Sequence, residues 1–286
     1  MLCREETTLK FSIITPSFNS LAYLPRCAAS IADQQGAEVE HLVVDGGSRE
    51  DTIEWLRQRR SLTWQSEPDR GMYDAINKGF RKATGDIVAY LNCDEQYLLG
   101  TLAAVAECFA GHPEADIVFG DALLVRPDGS LLAFRKAYPL RWPYVMAGTL
   151  YALTCATFFR RRIVDSGYLF NPEWRSVGDA EYVIRLLKAG FRSLHLHRYA
   201  AVFTITGNNL SANTESAKER KALIASAPFW VRAMKHGLNA ARLAEKFMSG
   251  AYFQFGPVTY SIYDSDVAKG RTTFSARNAS FRWKTG

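Results

Sequence analysis

The hydrophobic positions of this chain fall into short runs separated by amphipathic segments. The first run, "FSIIT" at residues 11–15, is typical of a buried strand, and the segment after it places Leu21, Leu24 and Ala28 at helical spacing. Later runs, "HLVVD", "LTWQS", "DIVAYL" and "DIVFGD", predict further strands, and the helices between them are expected at residues 51–60, 72–83 and 99–109. Strands that alternate with helices in this way predict an α/β fold with a doubly wound, mainly parallel sheet.

The pattern becomes less regular after about residue 139. It resumes with the strand candidate "CATFFRR", a helix over residues 179–189, and the strand candidates "SLHLHRY" and "AAVFTIT". The uncharged run at residues 143–159 is shorter than the roughly 20 apolar residues of a membrane-spanning helix. It therefore predicts a buried helix followed by a strand, and immersion in a membrane is the alternative.

Polar residues follow the predicted strands at three places, where sheets of this kind bind ligands. Thr15 and Pro16 end the first strand, Asp45 ends the second, and "NCDE" at residues 92–95 ends the fourth. The last segment contains two adjacent carboxylates, which repel each other unless a positive charge lies between them. A divalent cation on a bound diphosphate would explain the pair, and a turn whose acids merely face water is the alternative.

The predicted helix at residues 72–83 has one apolar face and one polar face. The polar face carries Asp74, Asn77 and Lys78. Asp74 and Lys78 are four residues apart, so they either form a surface ion pair or turn towards a ligand at the neighbouring strand ends.

Positive charge is concentrated in the last quarter of the chain. The net charge is +6; residues 217–286 contain 12 lysines and arginines against 4 acids, whereas residues 1–216 contain 23 against 25. The amphipathic segment at residues 229–247 could pack on its own domain, on a second copy of the chain or on an anionic membrane. Nucleic acid is not an expected partner, because no recognition motif is present and the main body is slightly acidic.

The five cysteines are scattered and form no Cys-x-x-Cys pair. This spacing argues against a disulfide framework and against a zinc site, and it favours a reducing, cytoplasmic location. The first residues, "MLCREE", lack the cationic and apolar regions of a secretory signal.

Four segments together resemble the motifs of family-2 glycosyltransferases with the GT-A fold. They are "SIITPSFN", "VVDGGSRED", "SEPDRGMYDAINKGFRKATGDIVAYLNCDE" and "GDAEYVIRLLKAG", and the resemblance spans about residues 11–211. It implies a GT-A domain at residues 1–215 and leaves a basic, partly helical C-terminal extension at residues 216–286.

The resemblance also implies a reaction and a setting. The enzyme would be a metal-dependent, inverting transferase of the hexosyl or N-acetylhexosaminyl type. It would move a sugar from a nucleoside-diphosphate sugar to a saccharide or lipid-linked saccharide acceptor. A bacterial surface polysaccharide pathway is the implied setting, either in the cytoplasm or peripherally at the inner face of the membrane.

Individual residues take roles from the matched motifs. Asp94 matches the ligand for Mn²⁺ or Mg²⁺ in a DXD-type motif, and Asp179 matches the catalytic base. Glu95 and Glu181 are secondary candidates, for the metal and for the acceptor respectively. The residues implied to contact the donor nucleotide are Thr15, Pro16, Asn19, Asp45, Asp69, Arg70, Asp74, Asn77, Lys78 and Asn92.

Several of these residues also have plain structural interpretations. Asp179 could simply cap the helix that follows it. His195 and His197 lie on one face of a predicted strand, where they either pack together or complete a metal shell. Thr154 and Cys155 stand where related sequences often have His and Gln, which leaves the acceptor open. The segment "TGNNLS" at residues 206–211 resembles a mobile flap or a plain turn.

Two other functions remain compatible with the sequence. A non-catalytic nucleotide-sugar-binding module would keep the donor pocket without turnover. A nucleotidyltransferase would share the sheet and the metal chemistry but would prefer a nucleoside triphosphate.

Overall fold

The structure is a computed structural model that describes residues 9–207 and 214–282. The first half of its central sheet consists of β1 (Lys10–Ser17), β2 (Glu38–Asp45), β3 (Thr63–Ser66) and β4 (Ile87–Tyr90). These strands lie in the order β3-β2-β1-β4, and all their pairings are parallel. Every residue of β4 is buried, as expected for a strand that is covered on both faces.

The second half of the sheet mixes strand directions. Its strands are β5 (Glu95–Tyr97), β6 (Ile117–Val125), β7 (Leu131–Arg135), β8 (Thr157–Arg160) and β9 (Ser193–Thr204). The full order is β3-β2-β1-β4-β8-β6-β9-β5, with β7 on β6; β6 and β9 are parallel, and the other pairings in this half are antiparallel. The two strands expected at residues 193–206 are one strand, β9, whose pairing shifts register beside Gly120 and Asp121.

Helices cover both faces of the sheet, which confirms the doubly wound α/β prediction. The helices of the main body are α1 (Leu24–Ala32), α2 (Glu50–Arg57), α3 (Met72–Lys82), α4 (Thr101–Gly111), α5 (Trp142–Ala147), α6 (Arg162–Asp165) and α7 (Gly178–Lys188), with a 3-10 turn at Thr154–Ala156. Helices α1 and α4 pack with Phe11 and Phe158 on one face, and α3 and α7 pack with Tyr90 and Phe170 on the other.

The C-terminal extension packs against the main body. It contains most of α8 (Thr214–Ala225), then α9 (Phe229–Ala233), α10 (Lys235–Met248) and a hairpin of β10 (Val258–Tyr263) and β11 (Arg271–Ala276). Arg141 makes a two-pronged ion pair with Glu245 of α10, and Arg271 of the hairpin pairs with Asp33 after α1. The extension was expected to be partly helical, and the hairpin is an addition to that expectation.

No helix within residues 9–207 and 214–282 combines the length and the apolar character that crossing a membrane requires. Of the flap expected at residues 206–211, only residues 206 and 207 are among the described residues.

Candidate active site

The loops after β1, β2 and β3 meet at the carboxyl edge of the parallel strands. The turn after β4, where the sequence predicts the third polar segment, reaches the same edge, because Cys93 Sγ donates to the Pro16 carbonyl at 3.4 Å. Ser17 pairs with Asp45 across β1 and β2, and Asp45 pairs with Ser66 across β2 and β3. Asn19 joins the first two loops, because its backbone amide donates to Ser48 Oγ at 2.7 Å. The Asn19 side-chain oxygen also accepts from the backbone amide at position 49, at 2.9 Å.

Asp45 organises the loop that follows β2. It is fully buried, and its carboxylate accepts hydrogen bonds from the amides of Gly47 and Ser48 and from the hydroxyls of Ser48 and Ser66, at 2.5–3.1 Å. Because an ionised carboxylate has about four lone-pair sites, these four donors fill its capacity to accept hydrogen bonds. The expected contact between Asp45 and the donor base would have to replace one of them.

Thr15 and Asn77 do not face the strand-end loops, although both were expected to contact the nucleotide. Thr15 is fully buried, and its hydroxyl lies 2.8 Å from His41 Nε2 in the core. Asn77 is buried and exchanges two hydrogen bonds with the backbone of Phe170, at 2.8 and 2.9 Å. The amide of Asn77 therefore holds the loop before α7 instead of a ligand.

Asp74 and Lys78 form a charged group under the loop at residues 67–71. Lys78 Nζ lies 2.9 Å from Glu67 and 3.7 Å from Asp74. Burial opposes ionisation of Asp74, but the Arg70 amide and the Lys78 and Arg70 charges outweigh it and lower the pKa of Asp74. This loop carries Asp69, whose carboxylate accepts from the Gly71 amide and lies against Gly46, so that Asp69 and the exposed Arg70 border the same edge.

The turn after β4 gives its two acids different environments. Glu95 is fully buried, and its carboxylate accepts from the Asn92 backbone amide at 2.7 Å. Burial, followed by the neighbouring Asp94 charge, raises the pKa of Glu95. Asp94 is only half-buried, so Asp94 is the acid that reaches the surface and Glu95 is the one that holds the turn.

The Asp94 turn suits a hard divalent cation whose shell is completed by substrate. Described residues contain no group of three His, Cys, Asp or Glu side chains that could hold a metal by themselves. The side-chain oxygen Oδ1 of Asn92, two positions before Asp94, is nevertheless buried without a hydrogen-bond partner among them. Amide and carboxylate oxygens are ligands that Mg²⁺ and Mn²⁺ prefer, usually together with substrate phosphates.

Asp179 is the second residue of α7, and Val177 occupies the capping position before the helix. The backbone amide of Asp179 donates to the Tyr73 hydroxyl at 3.1 Å. The close approach of Tyr73 depends on Gly178, because a Cβ there would lie 2.6 Å from the tyrosine ring. Burial raises the pKa of Asp179 to about 6, although the Ala180 amide, the Tyr73 hydroxyl and the Arg220 charge oppose the rise.

Asp179 lines a cavity of about 510 Å³ between the sheet, α5, α7 and the C-terminal extension. Phe203 and Ile205 line the same cavity, and the residue between them, Thr204, donates its amide to the Asp94 carbonyl at 3.2 Å. The end of β9 therefore joins the Asp94 turn to the Asp179 cavity. Thr154 lines the cavity as well.

Glu181 and the two histidines have structural roles. Glu181 forms an ion pair with Arg185 at 2.6 Å. It does not line the cavity, because it follows Asp179 by two residues of the helix and so points about 200° around the helix axis from it. His195 lies 2.8 Å from Asp121, stacks on Phe119 and packs against the tilted ring of His197. Both histidines precede Thr204 by several residues of extended strand, roughly 3.3 Å each, so they are far from Asp94.

Glu219 is a functional candidate that the sequence did not reveal. Its carboxylate accepts three backbone hydrogen bonds, from residues 175, 176 and 177, at 2.6–3.1 Å. These residues lead directly into α7, so α8 of the extension fixes the approach to Asp179. No local pattern identifies Glu219, because the contact joins segments more than 40 residues apart.

Comparison with protein families identifies residues 12–167 as "Glycosyl transferase family 2", which covers more than half of the chain. This chain belongs to glycosyltransferase family 2. A "PGL/p-HBAD biosynthesis glycosyltransferase" from Mycobacterium tuberculosis is 31% identical to it over 188 residues, which are 61% of this chain and 68% of the relative. A "putative teichuronic acid biosynthesis glycosyltransferase", TuaG from Bacillus subtilis, is 26% identical over 73% of this chain and 84% of its own length.

Solved structures show that this glycosyltransferase has the GT-A fold. TarS from S. aureus in complex with UDP superposes with a TM-score of 0.61 at 21% identity, covering 84% of this chain and 72% of TarS. A mannosyltransferase from Pyrobaculum calidifontis in complex with GDP-Man and Mn²⁺ has a TM-score of 0.55 at 18% identity, covering 87% and 77%. The resemblance read from the sequence motifs is thereby confirmed at the level of family and fold.

Proposed function

We propose that this enzyme is a metal-dependent, inverting glycosyltransferase in which Asp94 serves the donor and Asp179 serves the acceptor. The observation that carries the proposal is the placement of Asp179. Its half-buried carboxylate lies at the start of α7, in a cavity whose β9 wall also contacts the Asp94 turn. A carboxylate with a pKa of about 6 is a suitable general base near neutral pH.

The reaction follows from these positions. Asp179 takes the proton of an acceptor hydroxyl as its oxygen attacks the anomeric carbon, and the bond from that carbon to the diphosphate breaks. Attack from the side opposite the leaving group inverts the anomeric centre. A Mn²⁺ or Mg²⁺ ion held by Asp94, with Asn92 beside it, would offset the negative charge that builds on the diphosphate.

The loops at the carboxyl edge are the proposed nucleotide site. Pro16, Asn19, Asp69 and Arg70 border it, while Asp45 keeps the loop after β2 in shape. The neighbouring structures support a nucleotide-sugar donor, since their titles name UDP and GDP-Man. The transferred sugar is proposed to be a hexose or an N-acetylhexosamine. The names of the relatives favour a saccharide or lipid-linked acceptor in surface-glycan biosynthesis.

The extension offers a surface for peripheral membrane binding, which would bring a lipid-linked acceptor to the enzyme. We define its apolar ridge by the exposed side chains of Phe229, Trp230, Met234, Leu243, Phe247, Met248, Phe253 and Phe255. Phe255 is 88% exposed and Met248 is 78% exposed, so the core does not cover them. The occupant that we propose is an anionic lipid surface, because the ridge belongs to the segment with 12 basic and 4 acidic residues.

Vesicle flotation tests this surface. The chain is expected to float with phosphatidylglycerol vesicles at low salt and not with phosphatidylcholine vesicles, and the pair Phe247→Ser and Met248→Ser should abolish flotation. A matched pair, Thr272→Ser and Thr273→Ser, should float normally. Absence of salt-sensitive flotation would reject the membrane, and concentration-dependent dimerisation would assign the ridge to a second copy.

A thermal-shift panel of nucleotides tests the proposed function itself. One nucleoside diphosphate, or its sugar, is expected to raise the melting temperature only when Mn²⁺ or Mg²⁺ is present. A ligand at about 100 times its Kd adds roughly 2.7 kcal/mol to the free energy of unfolding. Stronger stabilisation by a triphosphate would indicate a nucleotidyltransferase, and binding without any turnover of the sugar would indicate a non-catalytic module.

A further inference from the structure

The Asp179 cavity is strongly cationic. Its lining includes the five cationic residues Arg135, Lys136, Arg220, Arg242 and Lys246, and its acidic lining residue is Asp179. Arg220, Arg242 and Lys246 come from the C-terminal extension. An excess of four positive charges in one cavity is unexpected for a site that would hold only a neutral sugar.

None of the five cations forms an ion pair with a carboxylate within the described part of the chain, although the Arg220 charge acts on Asp179 and lowers its pKa. Arg135 and Lys136 donate to backbone carbonyls, and Arg242 donates to the Tyr138 hydroxyl at 2.9 Å. The Lys246 ammonium lies 4.4 Å from the centre of the Tyr252 ring. Elsewhere in the extension, by contrast, Arg271 has an acidic partner in Asp33.

These cations also lie close enough to disfavour one another. Burial, together with the charges of Arg135 and Arg242, lowers the pKa of Lys246. Burial likewise lowers the pKa of Arg135. Partly buried cations that face each other are costly unless an anion joins them, so the arrangement points to a negatively charged ligand.

We propose that this cavity binds a phosphate or diphosphate group of the acceptor, and that the C-terminal extension thereby sets acceptor specificity. This inference rests on the proposed function, in which Asp179 marks the acceptor side. Two N–H groups of one arginine side chain can donate to two oxygens of the same phosphate. The cavity volume of about 510 Å³ is within the usual range for a small-molecule site.

The phosphate could belong to a lipid carrier or to a soluble glycan. Lys136 Nζ donates to the carbonyl of Phe253, whose ring stacks with Phe255 on the apolar ridge. The ridge therefore runs beside the cationic cavity, which would suit an amphiphilic phosphate. Both sources present the same charged group to Arg242 and Lys246.

Isothermal titration of the full chain in the presence of EDTA tests the inference. The probes are geranyl diphosphate, glycerol 3-phosphate and the neutral alcohol geraniol. The double variant Arg242→Gln and Lys246→Gln should weaken binding of the anionic probes by about tenfold or more, because it removes two donors of charge-assisted hydrogen bonds to the phosphate. Arg220→Gln, at an exposed position, should weaken it in the same direction without a risk to folding.

The matched control is Arg232→Gln with Lys235→Gln, which removes the same charge from the extension at positions that do not line the cavity. It should bind all probes as the wild type does. Tighter binding of geranyl diphosphate identifies a lipid source, and equal binding of glycerol 3-phosphate identifies a glycan source; both results support the inference. Equal affinity for geraniol, or unchanged anion affinity in both cavity variants, overturns it.

A second readout separates this inference from the proposed function. Nucleoside-diphosphate binding with Mn²⁺ is measured by thermal shift in the same variants. Normal nucleotide binding with unchanged anion affinity rejects the anionic acceptor and leaves the glycosyltransferase proposal intact. Failure of the wild type to bind any nucleotide rejects the proposed function, whatever the anion titration shows.

Discussion

At the residue scale, acidic residues that look equivalent in the sequence differ in how deeply they are buried and in which way their side chains point. Glu95 is fully buried in a turn, whereas its neighbour Asp94 reaches the surface. Glu181 pairs with Arg185, whereas Asp179, two positions earlier, lines a cavity. The motifs correctly predicted where the acids would gather, but the division of roles depends on tertiary contacts that no single-residue pattern contains.

Replacement of the proposed base tests Asp179 directly. Asp179→Asn keeps the size and the hydrogen-bonding shape of the side chain but removes its basicity. Turnover is expected to fall about a hundredfold or more, while nucleotide binding stays unchanged. Glu181→Gln is the matched control and should retain most activity, since its side chain is outside the cavity.

The pH dependence of turnover is a second consequence at this scale. Burial raises the pKa of Asp179 to about 6, so the base is protonated below that pH and ionised above it. The charged or titratable groups around it are Tyr73 on α3, Arg220 on α8, Tyr90 on β4 and Glu95 on β5.

Turnover should therefore fall about tenfold for each pH unit below about 6 and level off above it. Kinetics of donor-sugar consumption from pH 5 to 8 measure this profile. A flat profile across that range would remove Asp179 as the titrating base.

At the element scale, the parallel half of the sheet was predictable and the rest was less so. Buried apolar runs identify strands such as β4, and glycines and polar residues mark the loops that follow. The direction of a strand is harder to predict, because the same pattern of apolar residues suits a parallel and an antiparallel strand. The antiparallel placement of β8 between β4 and β6 therefore emerges only from the structure.

The junction between α8 and α7 gives an element-scale prediction. Glu219→Gln removes the charge that accepts three backbone N–H groups before α7, so it should cost about 1–3 kcal/mol of stability. Because Glu219 is a positioning residue for Asp179, kcat should fall while the KM for the donor stays constant. Urea unfolding and steady-state kinetics measure the two effects.

Glu173→Gln is the control for this junction, because it removes an acid from the neighbouring exposed loop. It should leave both stability and kcat unchanged. Equal effects of the two variants would mean that net charge, not the bonds to residues 175–177, is responsible.

At the scale of the whole molecule, the extension contributes to the fold and to the cavity. Its helices supply Arg242 and Lys246 to the lining, and its hairpin is tied to α1 through Arg271 and Asp33. The sequence revealed the charge and the amphipathic character of this segment. It did not reveal the hairpin, because each of its strands has only six residues and is partly exposed. Its contacts with the main body, such as that between Arg271 and Asp33, also join residues more than 100 positions apart.

Loss of the hairpin anchor should weaken the whole structure. Arg271 is 7% exposed and makes a two-pronged ion pair with Asp33, so Arg271→Ala leaves a partly buried carboxylate without its partner. The expected loss is about 2–4 kcal/mol in the free energy of unfolding, measured in urea. Arg277→Ala, at an exposed position after β11, should cost less than about 0.5 kcal/mol.

The most direct test of the central claim measures both Mn²⁺-dependent nucleotide binding and donor-sugar turnover in the two variants Asp94→Ala and Asp179→Asn. Asp94→Ala is expected to lose both the metal-dependent binding and the turnover. Asp179→Asn is expected to keep the binding and lose the turnover. Metal-dependent binding that survives in Asp94→Ala, or turnover that survives in Asp179→Asn, would contradict the assignment of Asp94 to the donor and Asp179 to the acceptor.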